Sequence, residues 1–391
     1  ISQNELCLGT DGKGTKIFNI PKQLITDYPF DNNYLDSGTS KVHSVLKDNA
    51  GNLWIAIYQK GVMMIPAQPN SFKYIGYKSI NKNIIGSNCI TSLCRDHEGI
   101  LWIGTDNDGI YGITTELKQK VHYAPHDSPS SVPSTVFGLY EDSEHNLWFG
   151  SYTNGLGRLD KKTGQCSYLQ NLTDKNGNRI QRVYDLVEDQ DKRLWIATMG
   201  AGLFYYDLKT GQSVYDPKFN AATKKYKWIS CLLYAGDNHL YVGTYDGIRC
   251  IDLSTDDFKT EEILSRHIIH SLYEDPQGNI WIGNSEGLAE WNPQTQQLKT
   301  YTTAHGLSSN AVYAIKGDGQ DNLWISTNAG MSRFNLNTHT FSNFYADDGL
   351  QGNEFSKNAS FADHNGILWF GGTNGITYFN PQEITNPAKK W

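Results

Sequence analysis

The 391-residue chain predicts an all-β fold, a β-propeller of four-stranded antiparallel blades. Three observations carry that prediction. A phrase of the type LWIGT recurs nine times, beginning at Leu6, Leu53, Leu101, Leu147, Leu194, Leu240, Ile280, Leu323 and Leu368. The copies stand 40 to 48 residues apart, a period of propeller blades or helical arrays. Each period holds short β-rich runs such as ITSLCRD, LWIGT, GIYGI and KVHYA between Gly, Asp and Asn turns, with no helical apolar period. Four short strands per period make a blade.

Each element of the repeat has a physical reason. In LWIGT, Leu101 and Ile103 face one side of a strand and Trp102 and Gly104 the other. Both sides are apolar because a blade is sandwiched between two neighbours. Seven of the ten tryptophans take the second slot of the phrase, and two residues later every copy is small, from Gly9 and Ala56 to Ser326 and Gly371. That pairing predicts a packing socket for the indole between blades. Gly61, Gly109, Gly155, Gly202, Gly247, Gly287, Gly330 and Gly375 mark the turn after this strand, where a positive φ suits glycine. Five residues before the phrase stands Asp48, Asp96, Asp142, Asp189, Asp275, Asp318 or Asp363, placed to cap a turn; the copy at Leu240 has Ala235 instead. A residue needed for chemistry would not be required in seven near-identical places, so the repeated phrase is architecture.

Composition agrees. Charged residues make up 19%, and 37 glycines with 23 tyrosines suit an all-β chain rich in tight turns rather than a disordered one. A net charge of −7 without a basic tract argues against nucleic acid as a partner. No apolar run reaches membrane-spanning length. The six cysteines show no CxxC pair and no histidine at metal spacing, and read as buried thiols. No cofactor motif is present.

The repeat count sets the domain boundaries expected. The chain opens on a second strand and ends after a third, so the last blade lacks an outer strand, and an open edge invites aggregation. SFKYIGY at 71–77 is the expected substitute. Residues 71–381 then close a seven-bladed ring, residues 1–70 are the last blade and a half of a preceding propeller, and residues 382–391 lead to a following domain. A single eight-bladed ring is the alternative.

The unit, as in DHEGILWIGTDNDGI and DPQGNIWIGNSEGL, resembles the two-component-regulator propeller repeat over nearly the whole chain. KVHSVLKDNAGNLWIAIYQKGVMMIP followed by FKYIGYKS resembles that family's junction between tandem propellers. GLQGNEFSKNASF and LWFGGTNGITYFNPQEI resemble its last blade before an immunoglobulin-like domain and a transmembrane helix. The resemblance implies the periplasmic sensor half of a hybrid histidine kinase of Bacteroides-type bacteria. Such a module binds an oligosaccharide from a complex glycan, supports a homodimer through the full ectodomain, and signals to glycan-utilisation genes. It implies no catalysis in this chain, no nucleic-acid contact by it, and membrane attachment only through segments outside it.

A propeller's function lies in loops at the channel mouth, chiefly those between blades and those after the second strand. Off the repeat frame stand Arg182, Lys225, Lys227, Trp228, Arg266, His267, Asn310, Asn353 and Glu354 just before first strands, with Asp106, Tyr152, Asn154, Tyr245 and Asp246 in the turns. Arg182, Lys227 and Arg266 suit a sugar carboxylate or sulfate, and Tyr152, Trp228 and Tyr245 suit pyranose faces; Asn310, Asn353 and Glu354 complete the candidate ligand-binding residues. Asp174 to Asn178 reads as a polar turn rather than a calcium loop, and His267 and His270 fall on opposite strand faces, so no metal site is expected. An enzyme would need paired carboxylates, for which Asp246, Glu286 and Glu354 are available, and a protein-binding scaffold would need a broad apolar face.

Overall fold

A computed structural model describes residues 4–28, 39–49, 51–65, 67, 72–77, 83–86, 89–174, 176–215, 220, 227–255 and 258–385. The expected all-β architecture of four-stranded antiparallel blades holds. Among the described residues lie seven four-stranded sheets. Their first strands are Ile90–Arg95, Val136–Glu141, Val183–Glu188, Ile229–Ala235, Ile269–Glu274, Val312–Gly317 and Phe355–Ala362, which number blades one to seven below. Each first strand packs beside the next, and Phe355–Ala362 packs beside Ile90–Arg95. Six of the sheets are continuous in sequence. In blade seven the outer position is filled by Lys73–Ile75, antiparallel to Gly375–Phe379, with Ile75 opposite Ile376 and Lys73 opposite Tyr378. Two three-stranded sheets precede these, one from Glu5–Gly9, Thr15–Asn19 and Leu24–Asp27, the other from Val42–Lys47, Leu53–Ile57 and Gly61–Ile65.

The second strand of each blade is its packing centre. Leu101–Thr105, Leu147–Ser151, Ile280–Asn284 and Leu368–Gly372 are buried at every residue. Leu101 and Ile103 join Ile75, Ile376 and Trp369 of blade seven, whereas Trp102 joins Val136 and Leu139 of blade two. The alternation therefore feeds two neighbours, and each buried side chain of this size contributes about 1.5–3 kcal/mol. In the N-terminal sheets the same position is less covered: Trp54 is 41% exposed, against 2% for Trp102.

The small residue serves a different partner from the indole expected. A Cβ on Gly104 would come within 3.0 Å of Val136 Cγ1, on Gly283 within 2.6 Å of Val312 Cγ1, and on Gly371 within 2.6 Å of Ile90 Cγ2. The space is needed by the residue that opens the next blade's first strand, so it sets the blade-to-blade approach. Gly371 against Ile90 carries this contact from blade seven to blade one.

The indole is fixed by the conserved acid of its own blade. Asp96 Oδ1 accepts the Ile100 N–H at 2.9 Å while Oδ2 accepts the Trp102 indole N–H at 2.8 Å. The same pair of bonds links Asp142 to Trp148, Asp189 to Trp195 and Asp275 to Trp281, with indole bonds of 2.7–2.8 Å. One carboxylate thus caps the turn, as the sequence predicts, and also satisfies a buried donor that would otherwise cost about 1–3 kcal/mol.

Candidate ligand-binding site

The loops that join blades and the turns after second strands meet at one end of the ring through backbone hydrogen bonds. Met199 N–H donates to Arg182 O at 3.1 Å, Tyr245 N–H to Trp228 O at 3.0 Å, Gly200 N–H to Lys227 O at 2.7 Å and Arg266 N–H to Asp246 O at 3.1 Å. The backbones of the predicted site residues are therefore part of the frame, and only their side chains are free to specialise.

Those side chains fall into three groups. Arg182 lies over the Tyr152 ring at 4.8 Å, a cation–π contact spanning blades two and three. Phe137 meets Tyr152 at 6.2 Å edge-on and Tyr184 at 4.8 Å. Trp228 meets the Tyr245 ring at 5.9 Å, also edge-on, on blade four. Met199, whose N–H donates to Arg182 O, also forms a β-bridge with Trp228, which joins these contacts into one arc from Arg182 to Trp228. Tyr152, Trp228 and Tyr245 are 43%, 43% and 39% exposed, so flat aromatic faces are open beside a cation. Burial pushes the Tyr184 hydroxyl up, which keeps it a neutral donor at the inner edge of the arc.

The remaining predicted residues are dispersed. Lys227 is exposed next to Trp228, and Arg266 is exposed on blade five with a left-handed φ of 64°. His267 Nε2 faces Glu286 at 3.3 Å. Asn310 and Asn353 brace their own loops: Asn310 Oδ1 accepts the Thr303 N–H and Asn353 Oδ1 the Ala346 N–H, both at 2.8 Å. They hold the single 3-10 turns Thr303–His305 and Ala346–Asp348, a role that their position before a first strand does not reveal. Glu354 is exposed, and its carbonyl accepts the Gln351 side-chain amide at 2.7 Å. Lys225 lies outside the described residues. Asp174 Oδ1 accepts the Asn176 and Asn178 N–H groups at 2.8 Å, the polar turn expected.

Beneath the arc, the first strands place a polar cluster that the loop-centred reading missed. A cavity of about 40 Å3 is lined by Thr91, Ser92, Phe137, Tyr184, Asp185, Lys357 and Asn358, from blades one, two, three and seven. Asp185 Oδ2 accepts the Leu232 N–H at 2.8 Å and Oδ1 accepts its neighbour's at 2.9 Å. Loss of water nevertheless outweighs these bonds and pushes its carboxyl up to about 6. Lys316 is pulled down by the same loss of water and partly restored by the Asp185 charge. His270 is driven down to about 3 by burial first and then by Lys357, so it is neutral at physiological pH. The signal was present: Asp185 holds the slot that Ser92, Gly138, Cys231, Ser271 and Ala314 hold elsewhere, the one charge in a run of small residues.

Comparisons with known proteins follow this geometry. The family described as two component regulator propeller matches residues 84–107, 130–153, 174–200, 263–286 and 306–329. These segments cover the blade-joining loop, first strand and second strand of five blades. Five segments of the chain thus match the two-component regulator propeller repeat. Histidine kinase P4 of Formosa agariphila is 24% identical over 389 residues, 96% of this chain and 21% of its own length. The extracellular domain of a hybrid two-component system of B. thetaiotaomicron superposes with a TM-score of 0.79 at 24% identity, over 97% of this chain and 50% of that one. A second such domain from the same organism gives 0.68 at 19% identity, over 98% and 52%. At these identities the solved structures establish the fold. The chain spans about half of the ectodomains and a fifth of the kinase. Among the described residues no helix is long and apolar enough to cross a membrane.

Proposed function

We propose that this two-component regulator propeller is the ligand-binding module of a periplasmic sensor ectodomain. It binds an oligosaccharide released from a complex glycan, performs no catalysis, and acts within a homodimer of the longer ectodomain to report to a histidine kinase and glycan-utilisation genes. The observation that carries the reading is the exposed arc of Tyr152, Arg182, Trp228 and Tyr245. It combines open aromatic faces with a fixed guanidinium, the pairing that an acidic or sulfated sugar needs, at positions where the repeat does not demand those residues. The kinship with ectodomains of two-component systems supports the sensor role.

Titration calorimetry with a panel of defined acidic and neutral oligosaccharides tests it. A binding sugar should lose affinity about tenfold or more in Arg182→Ala and in Trp228→Ala, the loss of one charge-assisted contact and of one stacking face. Equal affinity in both variants removes the arc as the site. Release of reducing ends from the panel would replace binding by catalysis.

A further inference from the structure

At the opposite ends of the first strands, where each blade turns into its second strand, the frame has its own fastening. The residue after the capping position, an aspartate or Ala235, donates its backbone N–H to a glutamate that ends the next blade's first strand. Ser143 does so to Glu188 at 2.7 Å and Gly236 to Glu274 at 3.2 Å. His97 does the same to Glu141 Oε2 at 2.7 Å. The frame asks only for that N–H, yet between blades one and two it carries two imidazoles besides. His97 Nδ1 lies 2.7 Å from Glu141 Oε1, and the His145 ring stacks on the His97 ring at 3.7 Å between centroids. The ligating atoms of His97, Glu141 and His145 all lie within 4.8 Å of one another.

His145 is also placed against local preference. Its turn position is held at positive φ by Gly51, Gly99, Gly278 and Gly366, and by Lys192 and Asn238 in blades three and four; His145 keeps φ at 67° there. A side chain in that conformation costs about 1 kcal/mol relative to glycine.

We infer that His97, Glu141 and His145 form a zinc-class metal site that staples blade one to blade two. Two imidazole nitrogens and one carboxylate oxygen are a donor set suited to a borderline divalent cation and poor for calcium or magnesium, which require oxygen ligands. With metal–ligand distances of about 2.0–2.2 Å, His97 Nδ1 and Glu141 Oε1 separate by about half an ångström, and His145 turns a nitrogen toward the shared centre. Lys161 Nζ donates to the same Glu141 Oε1 at 2.5 Å; on metal binding it gives up that bond and keeps its 3.1 Å bond to Asp96 Oδ2. The fourth position opens on a cleft of about 1020 Å3 that His97, His145, Asn146 and Lys161 border, and is left to water. Because its ligands come from two turns 44 residues apart, the site leaves no local spacing motif.

The test is zinc titration of the chelator-treated chain by calorimetry, with the visible absorbance of cobalt(II) as a report of nitrogen ligation. The unaltered chain should bind one equivalent with a Kd at or below roughly 10 μM. His145→Gly should weaken binding at least tenfold; it introduces the glycine that blades one, five and seven carry at this turn, so a folding defect does not explain the loss. His364→Ala, at the turn position of His97 in blade seven, should bind as the parent does. Absence of saturable binding by the unaltered chain, or parental affinity in His145→Gly, overturns the site.

Discussion

Trp324 is the exception among the framework tryptophans. Its indole is fully buried, yet its N–H has no hydrogen-bond partner; Asp318 Oδ2 accepts the Asn322 side-chain amide at 2.7 Å but not the indole, whereas Asp275 Oδ2 accepts both. Arg333 covers the ring at 5.6 Å instead. The contrast isolates the value of the carboxylate–indole bond. Asp275→Ala should cost about 1–2 kcal/mol more than Asp318→Ala in denaturant unfolding, since only the first strands a previously satisfied buried donor. Equal losses would mean that the carboxylate matters only as a turn cap. This link was legible: the copy with Ala235 in place of aspartate also has Tyr241 in place of tryptophan. Reading the two departures separately hid their common cause. His97 and His145 were hidden for another reason, since nothing local in the chain says that turns from adjacent blades converge.

At the scale of the element, two turns of blade seven separate two effects of a side chain on glycine. Gly366 has φ at 76° with open space where a Cβ would stand; Gly375 has φ at 123°, and a Cβ there would fall 2.3 Å from Ile75 O. Gly366→Ala should cost about 1 kcal/mol, the conformational part alone. Gly375→Ala should cost about 2–4 kcal/mol, because the closing strand must also shift. Similar melting shifts for the two would show that Lys73–Ile75 yields easily. The turn glycines, strand alternation and blade size were all legible, as each is dictated within one period. The loops were not. Asn310 and Asn353 look like site residues because they break the repeat, yet each caps a turn seven residues back in its own loop.

At the scale of the whole molecule, the first strands gather Asp185, Lys316, His270, Lys357 and Tyr313 from blades three, five, six and seven. Lys357 Nζ lies 5.6 Å from the Tyr313 ring centre. The Asp185 carboxyl titrates at about 6 in the folded chain and at 3.8 ordinarily, so the folded state holds its proton more tightly. Its stabilising contribution is therefore complete below about pH 3.8 and lost as pH rises through about 6. The stability of Asp185→Asn relative to the parent should accordingly rise by about 1–3 kcal/mol between pH 4 and pH 7.5. A difference that stays flat over that window would place the carboxylate in a well-solvated setting.

The strand that completes blade seven has a consequence for how the chain is made. The Tyr74 hydroxyl donates to Asn374 O at 2.6 Å across 300 residues of sequence. During synthesis Lys73–Ile75 leaves the ribosome about 300 residues before its partner Gly375–Phe379. Blades one to six can fold as they appear, whereas blade seven stays open-edged until Gly375–Phe379 is out. A prematurely terminated product is thus not a smaller propeller. It is a row of blades with a bare rim, open to pairing with the wrong strand until Gly375–Phe379 arrives.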